Sequence, residues 1–266
     1  MCNIKNFERE LTLHGKANST ISQYSKQFQM FIEYFKDSDI RYISESEIKD
    51  YLLVLNLKYK YSSIVHAIAT IEFYYLNLNS RKRVLNLPRP KKGSYLPEVL
   101  SIEEVKLMIN STDNIKHKCI IEMLFTHGLR RQELIDLKLG DIDSTNMILR
   151  VKDSKGSKDR NIPLNKECLV NLRKYWKKEK PKKFLFEGSD NIKYSATSIY
   201  NIVKNTANSA RINKSISPHS LRHSFASYLV KMNINLAKIS EWLGHRSTKT
   251  TEIYTHIFYE CNPIRL

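Results

Sequence analysis

Apolar residues recur at helical spacing along the first third of the chain. Ile21, Tyr24, Phe28, Phe31 and Phe35 form one stripe, with Ser19 as the expected N-cap. Ser44-Glu45-Ser46-Glu47 has the capping-box form and opens a second helix through Ile48, Tyr51, Leu52 and Leu55. A third stripe, Ile64, Ile68, Ile71, Tyr75 and Leu78, follows Ser62 and Ser63. The pattern predicts a small helical bundle over residues 1–87. It breaks between Arg81 and Gly93, where six basic residues, two prolines and no acidic residue exclude a continuing helix. A basic linker is expected at 88–97.

From residue 98 a second pattern begins. Ser101-Ile102-Glu103-Glu104 is another capping box, leading a helix through Ile109. Helices follow at 115–126, ending at His127-Gly128, and at 130–137. Residues 147–151, 161–164 and 184–186 are short β-type runs, and the polar loop from Asp153 to Asp159 between the first two predicts a hairpin. Helical spacing returns at 166–178, 198–210, 218–232, 236–242 and 248–259. The fold class is mainly α with a small antiparallel sheet (α+β), with a second domain over 98–266.

Charge narrows the range of partners. The 266 residues carry 44 Lys+Arg and 27 Asp+Glu, and 44 − 27 gives +17. Residues 1–88 hold 12 basic and 9 acidic side chains (+3), and residues 89–266 hold 32 and 18 (+14). A surplus of that kind attracts phosphate backbones. A membrane surface is the rival partner, but it needs a strongly apolar helix face, and the longest apolar run, Tyr51 to Leu55, is far short of the roughly 20 residues that span a bilayer. The first ten residues mix charges without an apolar core, so no secretory signal is expected. Cys2, Cys119, Cys168 and Cys261 are scattered without a CxxC pair, as in a reduced, cytoplasmic protein with neither disulfides nor zinc.

Neither GxGxxG nor GxxxxGK[ST] occurs. His219 and His223 have metal-ligand spacing, but Ser220 stands where a zinc protease helix carries Glu, and no metal is expected. Phosphate-binding side chains instead gather at predicted corners. Arg130 follows Gly128-Leu129 at a helix start, where backbone N–H groups favour an anion, and Glu133 shares its face and would hold the guanidinium. Ser217-Pro218 opens a helix that sets His219 and Arg222 on one face, opposite the apolar Leu221, Phe225 and Leu229. Trp242-Leu243-Gly244-His245 ends a helix, and Tyr254 follows nine residues after His245. Each fragment alone also fits a loop, a solvated helix face or a packing tyrosine.

Together, Gly128-Leu129-Arg130, Lys155-Gly156, His219-Ser220-Leu221-Arg222-His223, Leu243-Gly244-His245 and Tyr254-Thr255-His256 resemble, in order and spacing, the active-site motifs of the tyrosine recombinase, or phage integrase, family. The resemblance spans about residues 98–259, and the amino-terminal part is similar to the family's SAM-like core-binding domain. The proportions resemble the compact two-domain bacterial type.

The resemblance implies a clamp on double-stranded DNA and cleavage by Tyr254, leaving a 3′-phosphotyrosyl link and a free 5′-hydroxyl without metal, ATP or other cofactor. Arg130 and Arg222 would neutralise the phosphate, His245 would hydrogen-bond it, His219 would accept the phenol proton and Lys155 would protonate the 5′-oxygen. Ser154 stands before Lys155 where the family often has glycine, which leaves Lys158 as the alternative donor. Lys91, Lys92, Lys158 and Arg160 would meet the DNA backbone, and helices of the first domain and the 198–210 helix would read bases. The implied target is a pair of specific inverted-repeat sites held by a homotetramer, with a monomer or dimer off DNA, in the bacterial cytoplasm and away from membranes. The chain runs twelve residues past Tyr254, a short tail for Ile264 and Leu266 to dock on a neighbour. A type IB topoisomerase and a non-catalytic basic DNA-binding protein are the alternative readings, separated from a recombinase by synapsis and by the effect of Tyr254→Phe.

Overall fold

The computed structural model describes residues 4–79, 82–91, 98–152, 159–188, 192–245, 247, 250–252 and 254. The chain divides into two compact units, Met1–Ser94 and Tyr95–Leu266.

The first unit is a bundle of α1 (Ile4–Leu13), α2 (Asn18–Tyr34), α3 (Glu45–Lys58) and α4 (Tyr61–Asn77). Its core joins Phe7, Phe28, Phe31, Tyr51, Ile68, Ile71, Tyr74 and Tyr75. Aromatic packing is dense there, with Phe7 stacked on Phe28 at 4.1 Å between ring centroids. Ser44 caps α3 through the expected reciprocal box with Glu47. Ser19 does not cap α2. Gly15, at φ +66°, closes α1, and α2 starts after Ala17, so Ser19 lies inside the first turn. The basic segment after α4 is extended but not detached. Leu85 and Leu87 are buried in the bundle, Arg83 lies over the Tyr75 ring and donates to the Ile43 carbonyl, and Arg89 pairs with Glu72 at 2.7 Å.

The second unit comprises α5 (Ile102–Asn110), α6 (Ile115–Thr126), α7 (Arg131–Asp136), β1 (Ile142–Asp143), β2 (Ile148–Val151), β3 (Arg160–Pro163), α8 (Lys166–Glu179), α9 (Ala196–Ser209), α10 (Pro218–Lys231) and α11 (Leu236–Leu243). The three strands form one antiparallel sheet in the order β1-β2-β3, with Val151 opposite Arg160. The hairpin loop expected between β2 and β3 lies largely outside the described residues. Helix α6 is wholly buried along Cys119, Ile120, Ile121, Met123 and Leu124, and it packs against α5, α8 and α10. Thr250, Thr251, Glu252 and Tyr254 are helical; the rest of the helix expected at 248–259 is outside the description.

Residues 184–186 are not a strand. The Glu187 carboxylate accepts the backbone N–H groups of Lys182, Lys183 and Phe184 at 3.0, 2.7 and 3.0 Å, which curls the segment. Only a single bridge from Phe184 to Lys138 remains, and β1 is the third strand instead.

Candidate active site

Three chain segments, the start of α7, β3 and α10, converge on the Glu133 carboxylate. Helix α6 ends at His127, and Gly128, at φ +57°, turns the chain toward Arg130. A Cβ on Gly128 would stand 2.6 Å from Phe225 and 2.8 Å from Leu243, so this turn fits against α10 and α11 only without a side chain. Arg130 is the N-cap of α7. Glu133, in the first turn, is 3% exposed and accepts both the Arg130 backbone N–H and its Nη1, each at 2.7 Å. Glu133 thus takes the place that the sequence offered to an anion at this helix start.

Helix α10 brings the second guanidinium. Ser217 caps it by accepting the Ser220 N–H, and Pro218 occupies the first turn. Arg222, 4% exposed, donates Nη1 to the Gly128 carbonyl at 2.6 Å and Nη2 to the Leu243 carbonyl at 2.5 Å, and its Nη1 lies 4.0 Å from Glu133. Helix α11 ends in a left-handed Gly244 (φ +62°), whose carbonyl accepts Arg130 Nη2 at 2.5 Å.

Tyr254 completes the group. Its side chain is 2% exposed, and its hydroxyl lies 2.8 Å from Nδ1 of His223. The His245 ring is nearly parallel to the Tyr254 ring at 6.4 Å, and its Nδ1 meets the Thr251 hydroxyl at 2.9 Å. Arg130, Glu133, Arg222, His245 and Tyr254 therefore gather around one centre. His219 is exposed one turn before His223 on α10, and the imidazole on the tyrosine hydroxyl is His223. The sequence contained His223 within its motif but assigned it no role; its spacing of four from His219 was the available signal.

Arg160 differs most from the sequence reading. Rather than facing a duplex, it is buried, gripping both Glu133 oxygens at 2.8 Å and donating Nε to the Trp242 carbonyl at 2.7 Å. Lys91 is exposed. Lys92, Lys155 and Lys158 lie outside the described residues.

The electrostatics follow from this crowding of positive charge. Burial alone would raise the Glu133 pKa, but hydrogen bonds and charge from Arg160, then Arg130, bring it below the usual value. Burial and the neighbouring Arg130 lower Arg222 to about 10, so it stays charged at neutrality. Burial and nearby cations hold His223 and His245 down to about 4, so both are neutral acceptors or donors at pH 7. His219 is lowered by desolvation, Arg222, Arg131 and Arg130. Burial raises the Tyr254 phenol, opposed by the charges of Arg222 and Arg130. Among the described residues no group of three His, Cys, Asp or Glu side chains is placed to share a metal ion, and no helix is long and apolar enough to cross a membrane.

The chain is similar to known proteins over both of its units. The family model for the phage integrase family matches residues 98–260, and that for the phage integrase N-terminal SAM-like domain matches residues 4–83. A tyrosine recombinase of Thermosipho africanus is 30% identical over 256 residues, covering 91% of this chain and 89% of its own length. Tyrosine recombinase XerA of Pyrococcus horikoshii is 30% identical over 258 residues, covering 96% and 88%. Among solved structures, XerH recombinase bound to its difH substrate, after cleavage, superposes with a TM-score of 0.79 at 21% identity, over 98% of this chain and 83% of that one. With both units matched by its models, the chain belongs to the phage integrase family of tyrosine recombinases.

Proposed function

We propose that the protein is a site-specific DNA recombinase that cuts and rejoins strands through Tyr254. The observation that carries this reading is the gathering of a buried phenol, its hydroxyl 2.8 Å from His223, with two arginines, Arg130 and Arg222, that share a carboxylate. A phenol is almost fully protonated at pH 7, so attack requires removal of its proton and stabilisation of the charge that builds on phosphorus. Arg130 is about one-third exposed, with guanidinium N–H groups left beyond its bonds to Glu133 and Gly244, and is the first contact for an entering phosphate.

In this scheme the Tyr254 oxygen bonds to phosphorus, and the phosphorus–O5′ bond breaks. The phenol proton leaves toward His223, with His219 one turn away and open to solvent. His245 donates to a phosphate oxygen, and Lys155 returns a proton to the 5′-oxygen. The phosphotyrosyl bond conserves the energy of the phosphodiester, and a second 5′-hydroxyl reverses the step to reseal the strand. On α9, Tyr200, Asn201, Lys204, Asn205 and Asn208 form an exposed polar face suited to base contacts, since asparagine pairs with adenine edges in the major groove. We further propose inverted-repeat sites on double-stranded DNA, a homotetramer when two sites are joined, and a cytoplasmic place of action.

The test begins by selecting bound duplexes from a random-sequence pool. Two copies of the selected site are then placed on a supercoiled plasmid, and the protein is added with EDTA and without nucleotide. The expected product is a recombinant plasmid, inverted or resolved according to site orientation. Relaxation of the plasmid with no exchange between sites would show a topoisomerase instead.

A further inference from the structure

The last carbonyls of a helix have no partner within it, and they carry the negative end of its dipole. At the end of α11 three consecutive carbonyls are each taken by a different arginine. Trp242 accepts from Arg160 Nε at 2.7 Å, Leu243 from Arg222 Nη2 at 2.5 Å and Gly244 from Arg130 Nη2 at 2.5 Å. Trp242 and Leu243 lie about 100° apart around the helix axis and Gly244 turns left-handed, so the three carbonyls meet guanidiniums from three separate elements. These are the first residue of β3, the buried face of α10 and the N-cap of α7.

Arg130 and Arg222 have places in the proposed scheme above; Arg160 has none. Its side chain is 6% exposed, and among the described residues its bonds are internal: the bidentate grip on Glu133 and the bond to Trp242. Glu133 in turn binds Arg130, and Arg160 heads the cations that keep the carboxylate ionised despite burial. The Gly244 turn is closed against Arg160 as well, since a Cβ there would stand 2.9 Å from its Nη1. One side chain thus ties the shared carboxylate to the turn that carries His245.

We propose that Arg160 is a positioning residue of the cleavage reaction: by joining Glu133 to the carbonyl end of α11, it holds Arg130 and Arg222 at the spacing of one phosphate. It acts through Glu133 and the turn and does not touch DNA. The proposal rests on the recombinase reading. Displacing a reacting group by about 1 Å commonly costs ~100-fold in rate, which sets the scale of the expected effect.

The experiment follows single-turnover formation of the covalent adduct on a nicked duplex carrying the selected site, with the full chain, for wild type, Arg160→Gln, Glu133→Gln and the double variant. Each single substitution is expected to slow cleavage at saturating duplex by about 100-fold, and the double variant is expected to be no slower than Glu133→Gln alone. Duplex affinity and its salt dependence should match wild type. Arg160→Gln should also gain an acid-side loss of rate, because Glu133 loses the partner that keeps it ionised; the double variant should lack that limb. Arg160→Lys, which keeps the charge but cannot bridge two oxygens and a carbonyl, should remain slow; it also serves as the second variant should Arg160→Gln not unfold cooperatively. The proposal is overturned if Arg160→Gln weakens duplex binding and lowers the salt slope by about one, as loss of a phosphate contact does, or if its effect multiplies with that of Glu133→Gln. Wild type forming no adduct would refute the recombinase reading itself.

Discussion

The hydroxyl of Tyr254 and Nδ1 of His223 are 2.8 Å apart, in a site where the phenol is 2% exposed. With His223 held down to about 4 by burial, His219 and Arg222, its ring is neutral at pH 7. Only the tautomer with the proton on Nε2 leaves Nδ1 free to accept from the phenol. Under the proposed reaction the same bond would hold the nucleophile in place and take up its proton.

His223→Leu is therefore expected to slow adduct formation by about 100-fold, the lower range for loss of a general base. His223→Asn, whose amide oxygen can stand near the Nδ1 position, should recover part of that loss. Rates at matched duplex saturation check both. Because His223 accepts only when neutral, its contribution persists above its pKa and fades as pH falls toward about 4. A His223→Leu enzyme as fast as wild type would return the role to His219.

Gly128 and Gly15 make a controlled pair, since both have positive φ, +57° and +66°, but only Gly128 is enclosed. Gly15→Ala should cost about 1–2 kcal/mol, the cost of a left-handed alanine. Gly128→Ala adds a collision with Phe225 and Leu243 and should cost about 2–5 kcal/mol, combining backbone strain and overpacking. Urea unfolding of both variants checks the ordering. Equal losses would mean that α10 and α11 do not press on the Gly128 turn.

His127, fully buried, links the end of α6 to the loop before α8. Its Nε2 accepts the Asn165 N–H at 3.2 Å, and its Nδ1 lies 2.8 Å from the Thr126 hydroxyl, which itself donates to the Glu122 carbonyl at 2.7 Å. A proton on Nε2 would face that N–H, and burial lowers the pKa from 6.5 to about 4. Between those values the unfolded chain binds a proton that the folded chain refuses, so this contribution to stability is full above pH 6.5 and falls as pH drops toward 4. The window amounts to roughly 3 kcal/mol. Urea unfolding at pH 7 and pH 4.5 should show a larger acid loss for wild type than for His127→Gln; identical losses would contradict the assignment.

The parts of this molecule that follow from neighbouring residues were legible in its sequence. Ser44, Ser101 and Ser217 cap their helices as their local sequence predicts, because a capping bond spans only three residues. Ser19 shows the limit: α2 starts after Ala17, two residues beyond the left-handed Gly15, and no property of Ser19 itself could reveal that. The run 184–186 has β-type composition, but Glu187 binds three of the nearby N–H groups and withholds them from a ladder. Of the residues that the short motifs singled out, the fold brings Arg130, Arg222, His245 and Tyr254 together. The contacts of His223 and Arg160 are made to residues 31 and 27 positions away in the chain, which only folding brings near. A buried arginine on a basic chain reads as a DNA contact until its carboxylate partner is located.

The central claim is that Tyr254 becomes covalently joined to a DNA 3′-phosphate. A nicked duplex carrying the selected site, labelled on the strand that keeps its 3′-phosphate, traps that species because the short fragment bearing the 5′-hydroxyl diffuses away. Wild type is predicted to carry the label through boiling in detergent. Tyr254→Phe is predicted to bind the duplex with unchanged affinity and to carry none, while Tyr228→Phe carries as much as wild type. Label retained by Tyr254→Phe, or no label on wild type that binds the duplex tightly, would contradict the account.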